Sequence, residues 1–274
     1  MHIEVHNDNL LEPGLYVVST PIGNLEDISI RALKTLSSVD LVVCEDSRVT
    51  NKLLSKYGLK KKIFVYNDHS SKEDRKKLLQ LIQDKTAALV SDAGTPLISD
   101  PGLKLIRFFK ENNIFVTAIP GACAVINALV LSGLDTNMFE FYGFLPIKHS
   151  DRLKIINNLI SSEKTSLIYE TAKKFHKLLN EVIEINPEQK IVVVREMTKL
   201  YEEVIEDTAS NLLQKKFKGE LVVIFPAQHQ ETNIEINKDI IETLKKLSTK
   251  DGQTILKFMF PTMKKNDLYN LLKN

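Results

Sequence analysis

The sequence predicts an α/β protein with two α/β domains, a mainly parallel N-terminal sheet and a mixed C-terminal sheet, followed by a small helical tail. Three observations indicate this class. Short runs rich in Val and Ile recur at strand length, as continuously buried parallel strands do. Amphipathic helical patterns separate the first five runs, so right-handed crossover units are expected. In the second half one strand pattern follows another almost directly, which favours a hairpin and therefore a mixed sheet.

The N-terminal domain, residues 1–136, takes its elements from this alternation. In its first helical pattern Ile28, Ala32 and Leu36 lie on one face, as in a helix that packs against a sheet. Its last pattern is apolar almost all round, which indicates a buried helix. The predicted strands are 15–18, 41–44, 63–66, 87–90 and 114–119, and the predicted helices are 28–36, 73–82, 103–109 and 122–131, with another beginning near Val49.

The second domain, residues 137–228, follows a change of texture after 133–136. Its predicted strands are 139–144, 165–169, 190–195 and 220–225, with 200–207 as the hairpin partner of the third. The tail, residues 237–274, has helical patterns at 238–247, 253–260 and 267–272. It holds twice as many Lys as acidic residues, so it is either a solvated packing appendage or a minor RNA-contacting element.

The composition is that of a globular protein with a charge near zero. Of the 274 residues, 43% are hydrophobic, and 37 Lys and Arg oppose 35 Asp and Glu, so any case for nucleic-acid binding must be local. Cys44 and Cys123 are predicted to be buried and have no disulfide or zinc-ligand spacing. No apolar run reaches the ~18 residues of a membrane span. The N-terminus lacks the pattern of a signal peptide, and we expect a cytoplasmic protein.

Residues that could carry chemistry gather where predicted strands end. Turns rich in Gly, Pro and carboxylates follow the first, second and fourth strands, at 19–27, 45–48 and 91–102. Ligands of open parallel sheets bind outside the carboxyl ends of strands. Gly permits close approach of the backbone to a ligand, and Pro fixes the turn. These three turns are therefore the predicted binding region.

Helix capping is the simpler interpretation of several of these acids. Glu26-Asp27 and Glu45-Asp46 precede helices, and Asp100 stands before Pro101 as an N-cap does. The turn 92–96 is too irregular for capping alone. Neither G-x-G-x-x-G after the first strand nor a Walker G-x-x-x-x-G-K-[ST] motif occurs, which argues against a nicotinamide dehydrogenase and a Walker-type NTPase. The first strand ends without a carboxylate nucleophile, which disfavours a magnesium phosphohydrolase.

Seven motifs occur in a fixed order along the chain. They are Thr20-Pro-Ile-Gly-Asn-Leu-Glu-Asp27, Glu45-Asp-Ser-Arg48, Val90-Ser-Asp-Ala-Gly-Thr-Pro-Leu-Ile-Ser-Asp-Pro-Gly102, Pro120-Gly-Ala-Cys-Ala124, Gly143-Phe-Leu-Pro146, Tyr169-Glu170 and Arg195-Glu-Met-Thr-Lys199 with Glu202-Glu203. Together they closely resemble the bacterial small-subunit (16S) ribosomal RNA cytidine 2′-O-ribose methyltransferases, of the tetrapyrrole-methylase-like class of S-adenosylmethionine enzymes. The resemblance covers residues 14–227, and the tail also looks similar.

The resemblance implies the reaction and its participants. It implies methylation of a cytidine ribose at the decoding centre of 16S ribosomal RNA, either as free RNA or in the assembled small ribosomal subunit. It also implies a homodimer, S-adenosylmethionine bent into the cleft between two domains, and no metal. The donor-binding residues implied are Pro21, Gly23, Asp92, Gly94, Thr95, Pro96, Ile98, Ala122 and Cys123, with Pro226 and Ala227 reaching the adenine from the second domain.

Methyl transfer from a sulfonium is an in-line displacement, and the ribose hydroxyl needs a proton acceptor. Asp46 and Glu45 are the first candidates for this role, because they end the second strand beside the donor loops. Glu196 and Lys199, from the facing domain, are the second candidates. Arg48 is predicted to hold a phosphate.

The basic residues predicted to contact RNA are Lys173 and Lys174, with Lys148, Arg152, Lys154 and Lys264-Lys265 as further candidates; a solvated helix face is the alternative for each. Three segments depart from the family pattern, at 66–69, 171–174 and 225–227, which affects substrate contacts rather than donor binding. Two rival functions stay open: a tetrapyrrole methyltransferase of the same fold, and a non-catalytic ribosome-binding protein.

Overall fold

The computed structural model describes residues 11–228 and 238–259, together with Tyr269 and Leu272. The chain divides into two compact units, Met1–Gln228 and His229–Asn274. The predicted boundary at 136/137 falls inside the first unit, between its two sheets, and the three-domain division stays a prediction. The α/β class, with one parallel and one mixed sheet, is confirmed.

The first sheet is entirely parallel, with strand order β3-β2-β4-β1-β5. All five predicted strands are present, with ends shifted by two residues at most. Its strands are β1 (Gly14–Val18), β2 (Leu41–Cys44), β3 (Lys62–Val65), β4 (Thr86–Leu89) and β5 (Val116–Ile119). The helices that follow them are α1 (Ile30–Ser38), α2 (Ser47–Lys56), α3 (Lys72–Ile82), α4 (Leu103–Glu111) and α5 (Ala124–Ser132).

The N-terminal ends of the helices show which of the acids predicted to cap helices do so. Asp46 is the N-cap of α2, because its carboxylate accepts from the Arg48 backbone N–H at 2.8 Å. Ser29 caps α1, whereas Glu26 and Asp27 lie in a separate 3-10 turn. The capping interpretation of Asp100 is wrong: α4 begins at Leu103, after an N-cap glycine without a side-chain bond. Asp100 therefore needs another explanation.

The second sheet is mixed, with strand order β6-β7-β10-β8-β9. Its strands are β6 (Phe139–Phe144), β7 (Thr165–Thr171), β8 (Lys190–Arg195), β9 (Glu203–Thr208) and β10 (Glu220–Phe225), and its helices are α6 (His149–Ser161), α7 (Ala172–Ile183) and α8 (Ala209–Leu213). Of the four pairs of neighbouring strands in this sheet, β6–β7 is parallel and the other three are antiparallel. The predicted hairpin of β8 and β9 is confirmed, with Arg195 opposite Glu203.

Helix α5 joins the two sheets of the first unit. It follows β5 of the parallel sheet, yet Val125, Ala128 and Leu129 pack against β8 and β10 of the mixed sheet, for example at Val222 and Ile224. Its nearly continuous apolar character, visible in the sequence, reflects this burial. Each fully buried aliphatic side chain contributes roughly 1.5–3 kcal/mol, so this packing fixes one sheet on the other.

The second unit is described for α9 (Lys238–Lys245) and α10 (Thr249–Met259). Among its described residues, Leu244 and Leu256 are buried apolar side chains. Most of the third predicted tail helix, and Lys264-Lys265, lie outside the described residues. No helix in the described ranges is long and apolar enough to cross a membrane.

Candidate active site

A cavity of about 210 Å³ lies where the two sheets meet. It stands at the carboxyl ends of β1, β4 and β5 on one side, and at the ends of β6, β7 and β8 and the start of β10 on the other. We call it the active-site cavity. It is lined by Ile22, Ala93, Gly94, Thr95, Ile98, Ser99, Asp100, Cys123, Ala124, Phe144, Tyr169, Glu170, Thr171, Glu196, Met197, Lys199, Glu220, Leu221 and Val222.

Three loops after strands of the first sheet are hydrogen-bonded into one wall. Thr20 and Gly94 exchange both backbone bonds, at 2.9 and 3.0 Å, which ties the loop after β1 to the loop after β4. The Thr95 hydroxyl donates to the Ala122 carbonyl at 3.0 Å and lies 3.0 Å from the Ser19 hydroxyl, which adds the loop after β5. Gly94 has a φ of +76°, a conformation that residues other than glycine rarely adopt.

The loop after β4 continues through a strained backbone. Leu97 and Ser99 both have positive φ, at 73° and 67°. Such conformations persist only where surrounding structure enforces them. Here Gly143 of the second sheet packs so closely that a Cβ on it would lie 2.8 Å from the Ser99 Oγ. The next residue along the loop, Asp100, lines the active-site cavity.

The wall from the second sheet carries a charged cluster. The Lys199 Nζ lies 3.1 Å from Glu196 Oε1 and 3.2 Å from Glu220 Oε2. Burial opposes ionisation, but these bonds hold the pKa of Glu196 below and the pKa of Lys199 above their ordinary values. Lys199 is therefore a fixed cation. The geometry does not favour the hypothesis that it accepts a proton, because it already holds one tightly.

Residues 196–199, which we call the Glu196 turn, pack against residue 219, and there is room for them only because that residue is a glycine. A Cβ on Gly219, whose φ is +81°, would lie 2.1 Å from Glu196 Oε1. Glu196 itself has φ +49° and Thr198 has φ +64°. Close packing also joins this turn to the first sheet: a Cβ on Gly23 would lie 2.6 Å from Lys199 Cγ. The Asn24 N–H donates to the Thr198 hydroxyl at 3.0 Å.

Aromatic rings form the β6–β7 side of the cavity. Tyr169 contacts Phe141 and Phe144, with ring centroids 4.8 and 5.5 Å apart. Burial raises the pKa of Tyr169, and electrostatic interactions with Cys123 and Asp100 add to this. Asp100 and Cys123, from the first sheet, therefore lie near this ring. Cys123 is half-buried and lines the cavity, so the prediction of a buried residue holds for Cys44 and not for Cys123.

Behind Glu170, a buried arginine neutralises two carboxylates. The Arg152 Nε lies 2.6 Å from Glu181 Oε2, and its Nη2 lies 3.6 Å from Glu170 Oε2. All three residues are buried. The prediction that Arg152 contacts RNA is wrong, because the guanidinium is enclosed between α6 and α7. Its pattern on the sequence is that of a basic helix face, and local spacing does not reveal the two acids that enclose it.

Six residues predicted from the sequence line the cavity: Gly94, Thr95, Ile98, Cys123, Glu196 and Lys199. Pro21, Gly23, Asp92, Pro96 and Ala122 adjoin lining residues along the chain without lining the cavity themselves. Pro226 and Ala227 follow the opposite end of β10 and lie roughly 13 Å further along the strand than Val222. Contact with them would need the donor to extend along β10, and these assignments stay predictions.

The two acids first proposed as proton acceptors differ in environment. Asp46 accepts from the Arg48 side chain at 2.5–3.1 Å, and these bonds lower the pKa of Asp46 to about 2. Burial raises the pKa of Glu45, and the nearby negative charges of Asp92 and Asp100 add to the effect. Neither Glu45 nor Asp46 lines the cavity. The ion pair leaves Asp46 a weak proton acceptor and engages Arg48, which stays otherwise exposed.

The basic residues predicted for RNA occupy different positions. Lys173 and Lys174 are exposed at the start of α7, directly after Glu170 and Thr171 of the cavity. Lys148 and Lys154 are also exposed, and Lys148 lies 3.5 Å from Asp151. Lys173 and Lys174 are therefore the pair that adjoins the cavity along the chain.

Several lining residues were not predicted from the sequence as site residues. The polar and aromatic ones are Ser99, Asp100, Phe144, Tyr169, Glu170, Thr171 and Glu220. Five of them, all but Thr171 and Glu220, belong to motifs that carry the family resemblance, which was a usable signal. Tyr169 and Glu170 stood out as a pair, whereas Asp100 was assigned to a helix cap. Glu220 had no local signal, because only the antiparallel pairing of β10 with β7 brings it here.

The lining suits a large organic cation with an apolar part. Apolar surface is offered by Ile22, Ile98, Met197, Leu221 and Val222, and four carboxyl groups outnumber the single basic side chain in the lining, Lys199. The sulfonium and ammonium groups of S-adenosylmethionine fit this chemistry. Among the described residues, no group of three or more His, Cys, Asp or Glu is arranged to hold a metal ion.

The architecture is a parallel sheet and a mixed sheet with the active-site cavity between them. The chain is similar in fold to the solved uroporphyrin-III-C-methyltransferase from Thermus thermophilus, with a TM-score of 0.54 and 16% identity. The match covers 78% of this chain and 95% of that one.

The sequence comparisons identify the family. The profile of the Tetrapyrrole (Corrin/Porphyrin) Methylases matches residues 14–213. The chain is 39% identical over 279 residues to the ribosomal RNA small subunit methyltransferase I of Rickettsia prowazekii (strain Madrid E), covering 96% of this chain and 97% of that protein. It is 43% identical over 249 residues to the protein of the same name from Erythrobacter litoralis (strain HTCC2594), covering 88% and 89%. The chain belongs to the tetrapyrrole methylase family and is a methyltransferase.

Proposed function

We propose that the chain transfers a methyl group from S-adenosylmethionine to the 2′-hydroxyl of a cytidine ribose at the decoding centre of 16S ribosomal RNA. The observation that carries this proposal is a carboxylate-lined cavity between the two sheets, in a chain whose relatives are named ribosomal RNA small subunit methyltransferase I. A cytoplasmic homodimer that acts on free RNA or the small ribosomal subunit is part of the same proposal.

The residues of the chain divide the task between the two walls. The hydrogen-bonded loops at Thr20, Gly94 and Thr95 form a rigid cradle for the donor, and the apolar lining excludes water from it. Bound there, the donor supplies an electrophilic methyl group. Lys199, fixed by Glu196 and Glu220, places a positive charge where an RNA phosphate or a developing oxyanion would be stabilised. Lys173 and Lys174 extend positive charge outward for the RNA backbone.

The test is methyl transfer from labelled S-adenosylmethionine to small subunits that lack ribose methylation, followed by alkaline hydrolysis. A 2′-O-methyl group blocks cleavage at its own linkage, so one missing band locates the ribose. Subunits that already carry the modification are the control and should take up no label. Label without a gap would mean base methylation and would refute ribose chemistry. Donor binding without any transfer would favour the tetrapyrrole or the non-catalytic alternative.

A further inference from the structure

Two large apolar side chains are exposed at the tip of the β8–β9 hairpin, beside the active-site cavity. Leu200 has 87% of its surface exposed, and Tyr201 has 68%. They directly follow Lys199, which lines the cavity, but they do not line it themselves. The site already described therefore does not explain their exposure. Exposed apolar side chains that adjoin one another mark a surface on which a partner can bind.

The backbone that carries this pair is held on both sides. Before the pair, the Lys199 N–H donates to the Glu196 carbonyl at 3.0 Å, and two carboxylates hold the Lys199 Nζ. After the pair, the Glu202 N–H donates to the Lys199 carbonyl at 3.1 Å, and the Glu202 carboxylate accepts from the Thr198 N–H at 2.6 Å. The pair is therefore presented on an ordered turn, which lowers the conformational entropy that is lost when a partner binds.

Strand pairing brings two further segments to the same edge of the mixed sheet. β7 and β8 end at this edge, and β10, which lies between them, begins there. The Ala172 N–H donates to the Gly219 carbonyl at 3.1 Å, and the Glu196 N–H donates to the Glu220 carbonyl at 3.2 Å. The start of α7, the loop 214–219 and residues 196–202 thus form one surface, which we call the hairpin edge. From β7 to β8 it spans two strand spacings, roughly 10 Å.

Four lysines on the hairpin edge are exposed and form no ion pair with any residue that the structure describes. They are Lys173 and Lys174 at the start of α7, and Lys216 and Lys218 before β10. Their neighbour Lys215 differs, because its Nζ lies 2.8 Å from Asp207 Oδ2. The four ammonium groups are therefore available to a negatively charged partner.

The acids of the hairpin edge are engaged within it. Glu196 is bound to Lys199, and Glu202 accepts from the Thr198 N–H. The adjoining Glu203 is paired with Arg195 at 2.5 Å, across the hairpin. The charges that stay available on this edge are therefore those of the four lysines, and they lie beside an exposed aromatic ring.

This combination suits an unpaired stretch of RNA. Single-stranded RNA is bound by cations that hold its backbone and by aromatic side chains on which its bases stack. Two apolar side chains are a small area for a stable protein interface, and lysine is depleted in such interfaces. We propose that the hairpin edge binds the RNA next to the methylated nucleotide, with a base stacked on Tyr201 and Leu200 and phosphates held by the four lysines. This inference rests on the proposed function and adds to it the place where RNA outside the cavity is bound.

The first experiment measures methyl transfer to unmethylated small subunits by the full chain. Tyr201→Ser should raise KM for the subunits roughly tenfold or more through lost stacking. Its kcat, and its donor affinity by calorimetry, should stay within about threefold of the wild type. Tyr201→Phe keeps the ring and should match the wild type. Ile185→Ser is the control, because Ile185 is 41% exposed and lies before β8, at the opposite edge of the sheet, and it should also match.

The salt dependence of subunit binding tests the lysines separately. Each phosphate contact with a single strand contributes about 0.7 to the slope of log affinity against log salt concentration. Combining Lys173→Gln with Lys218→Gln should therefore reduce that slope by roughly 1.4. Tyr201→Ser should lower the affinity and leave the slope unchanged. Lys190→Gln, at an exposed position where β8 begins on the opposite edge, should change neither.

A cross-link identifies what lies on the ring. Tyr201→benzoylphenylalanine places a photoreactive group at the tip of the hairpin, and the variant is irradiated together with unmethylated small subunits. The expected product is a cross-link to RNA close to the methylated ribose, which ribonuclease removes. A cross-link to a ribosomal protein or to a second copy of this chain, or no cross-link, would overturn the inference.

The remaining contrary results are distinguishable from one another. If the wild type leaves no alkali-resistant linkage in the RNA, the proposed function fails, and this inference fails with it. If the wild type does leave one and Tyr201→Ser keeps its KM within about threefold, only the inference about the hairpin edge fails. Lower kcat at an unchanged KM would assign Tyr201 to the chemical step and overturn it. A changed sedimentation coefficient of Tyr201→Ser would assign the ring to a contact between copies and overturn it too.

Discussion

The Glu196 turn depends on Gly219, and Gly219→Ala tests that dependence. At φ +81° an alanine costs roughly 1–2 kcal/mol through backbone strain alone. Its Cβ would also lie 2.1 Å from Glu196 Oε1, so the carboxylate has to move. Movement breaks its bonds with the Glu220 N–H and Lys199 Nζ, at 3.2 and 3.1 Å. Their loss costs about another 1–2 kcal/mol.

The assay is thermal and denaturant unfolding of matched variants. A total of about 2–4 kcal/mol lowers Tm by roughly 5–15 °C in a chain of this size. Gly58→Ala is the control, because Gly58 has φ +69° and no atom within 4 Å of an added Cβ. It should show the backbone cost alone. Methyl transfer should also fall in Gly219→Ala, since Lys199 loses one of its anchors, and should be kept in Gly58→Ala.

Making Gly219→Ala in a Glu196→Ala variant separates the cost of the steric clash from the cost of the backbone strain. In Glu196→Ala the obstructing carboxylate is gone, so adding Gly219→Ala should cost no more than Gly58→Ala does. Equal destabilisation by Gly219→Ala and Gly58→Ala in the wild-type background would show that Glu196 yields freely, and the reasoning about a fixed turn would be refuted.

Three further predictions follow from the same geometry. Gly23→Ala should push the loop after β1 from the Glu196 turn and weaken donor binding roughly tenfold by calorimetry, because the wall contacts on both sides shift. Arg152→Met should destabilise the fold by about 3–5 kcal/mol in urea unfolding, because Glu170 loses its cation and Glu181 keeps only the longer contacts with Lys177 and His149; an effect near zero would mean that water reaches the two carboxylates. Glu45→Gln should raise Tm at pH 7 and lose this advantage near pH 4, because the raised pKa of Glu45 means that its charge opposes folding only above that pKa; the same gain at both pH values would contradict the assignment.

The strands were predictable because burial on both faces leaves a continuous apolar run. β2, β6, β8 and β10 begin and end at the residues expected from the sequence, and β8 and β9 form the expected hairpin. Local composition suffices there, since each strand buries its own side chains. The turns that follow strands were also located correctly, since Gly, Pro and acids mark them in the sequence.

The roles inside the cavity depend on contacts that no local pattern encodes. Asp100 before Pro101 has the sequence of an N-cap, but the backbone reaches α4 only at Leu103, after Gly102. The residue before Asp100, Ser99, packs closely against Gly143, more than forty positions away along the chain. Asp46 is the N-cap that the sequence predicts, and it also forms an ion pair with Arg48. The residue-type pattern thus located the loops, and its capping interpretation was right for Asp46 and wrong for Asp100.

Backbone strain marks the two loops that most directly shape the cavity. Among the described residues, five other than glycine have positive φ: Leu97, Ser99, Asn113, Glu196 and Thr198. Four of these lie in the loop after β4 and the turn after β8, on opposite walls. Such conformations cost roughly 1–3 kcal/mol each and persist only where packing enforces them. Here the enforcing contacts come across the cavity, from Gly143 to the first loop and from Gly23 to the second turn. Each sheet therefore holds the strained loop of the other sheet in place. A substitution that loosens one of these contacts should change the geometry of both walls of the cavity and so lower the rate of methyl transfer.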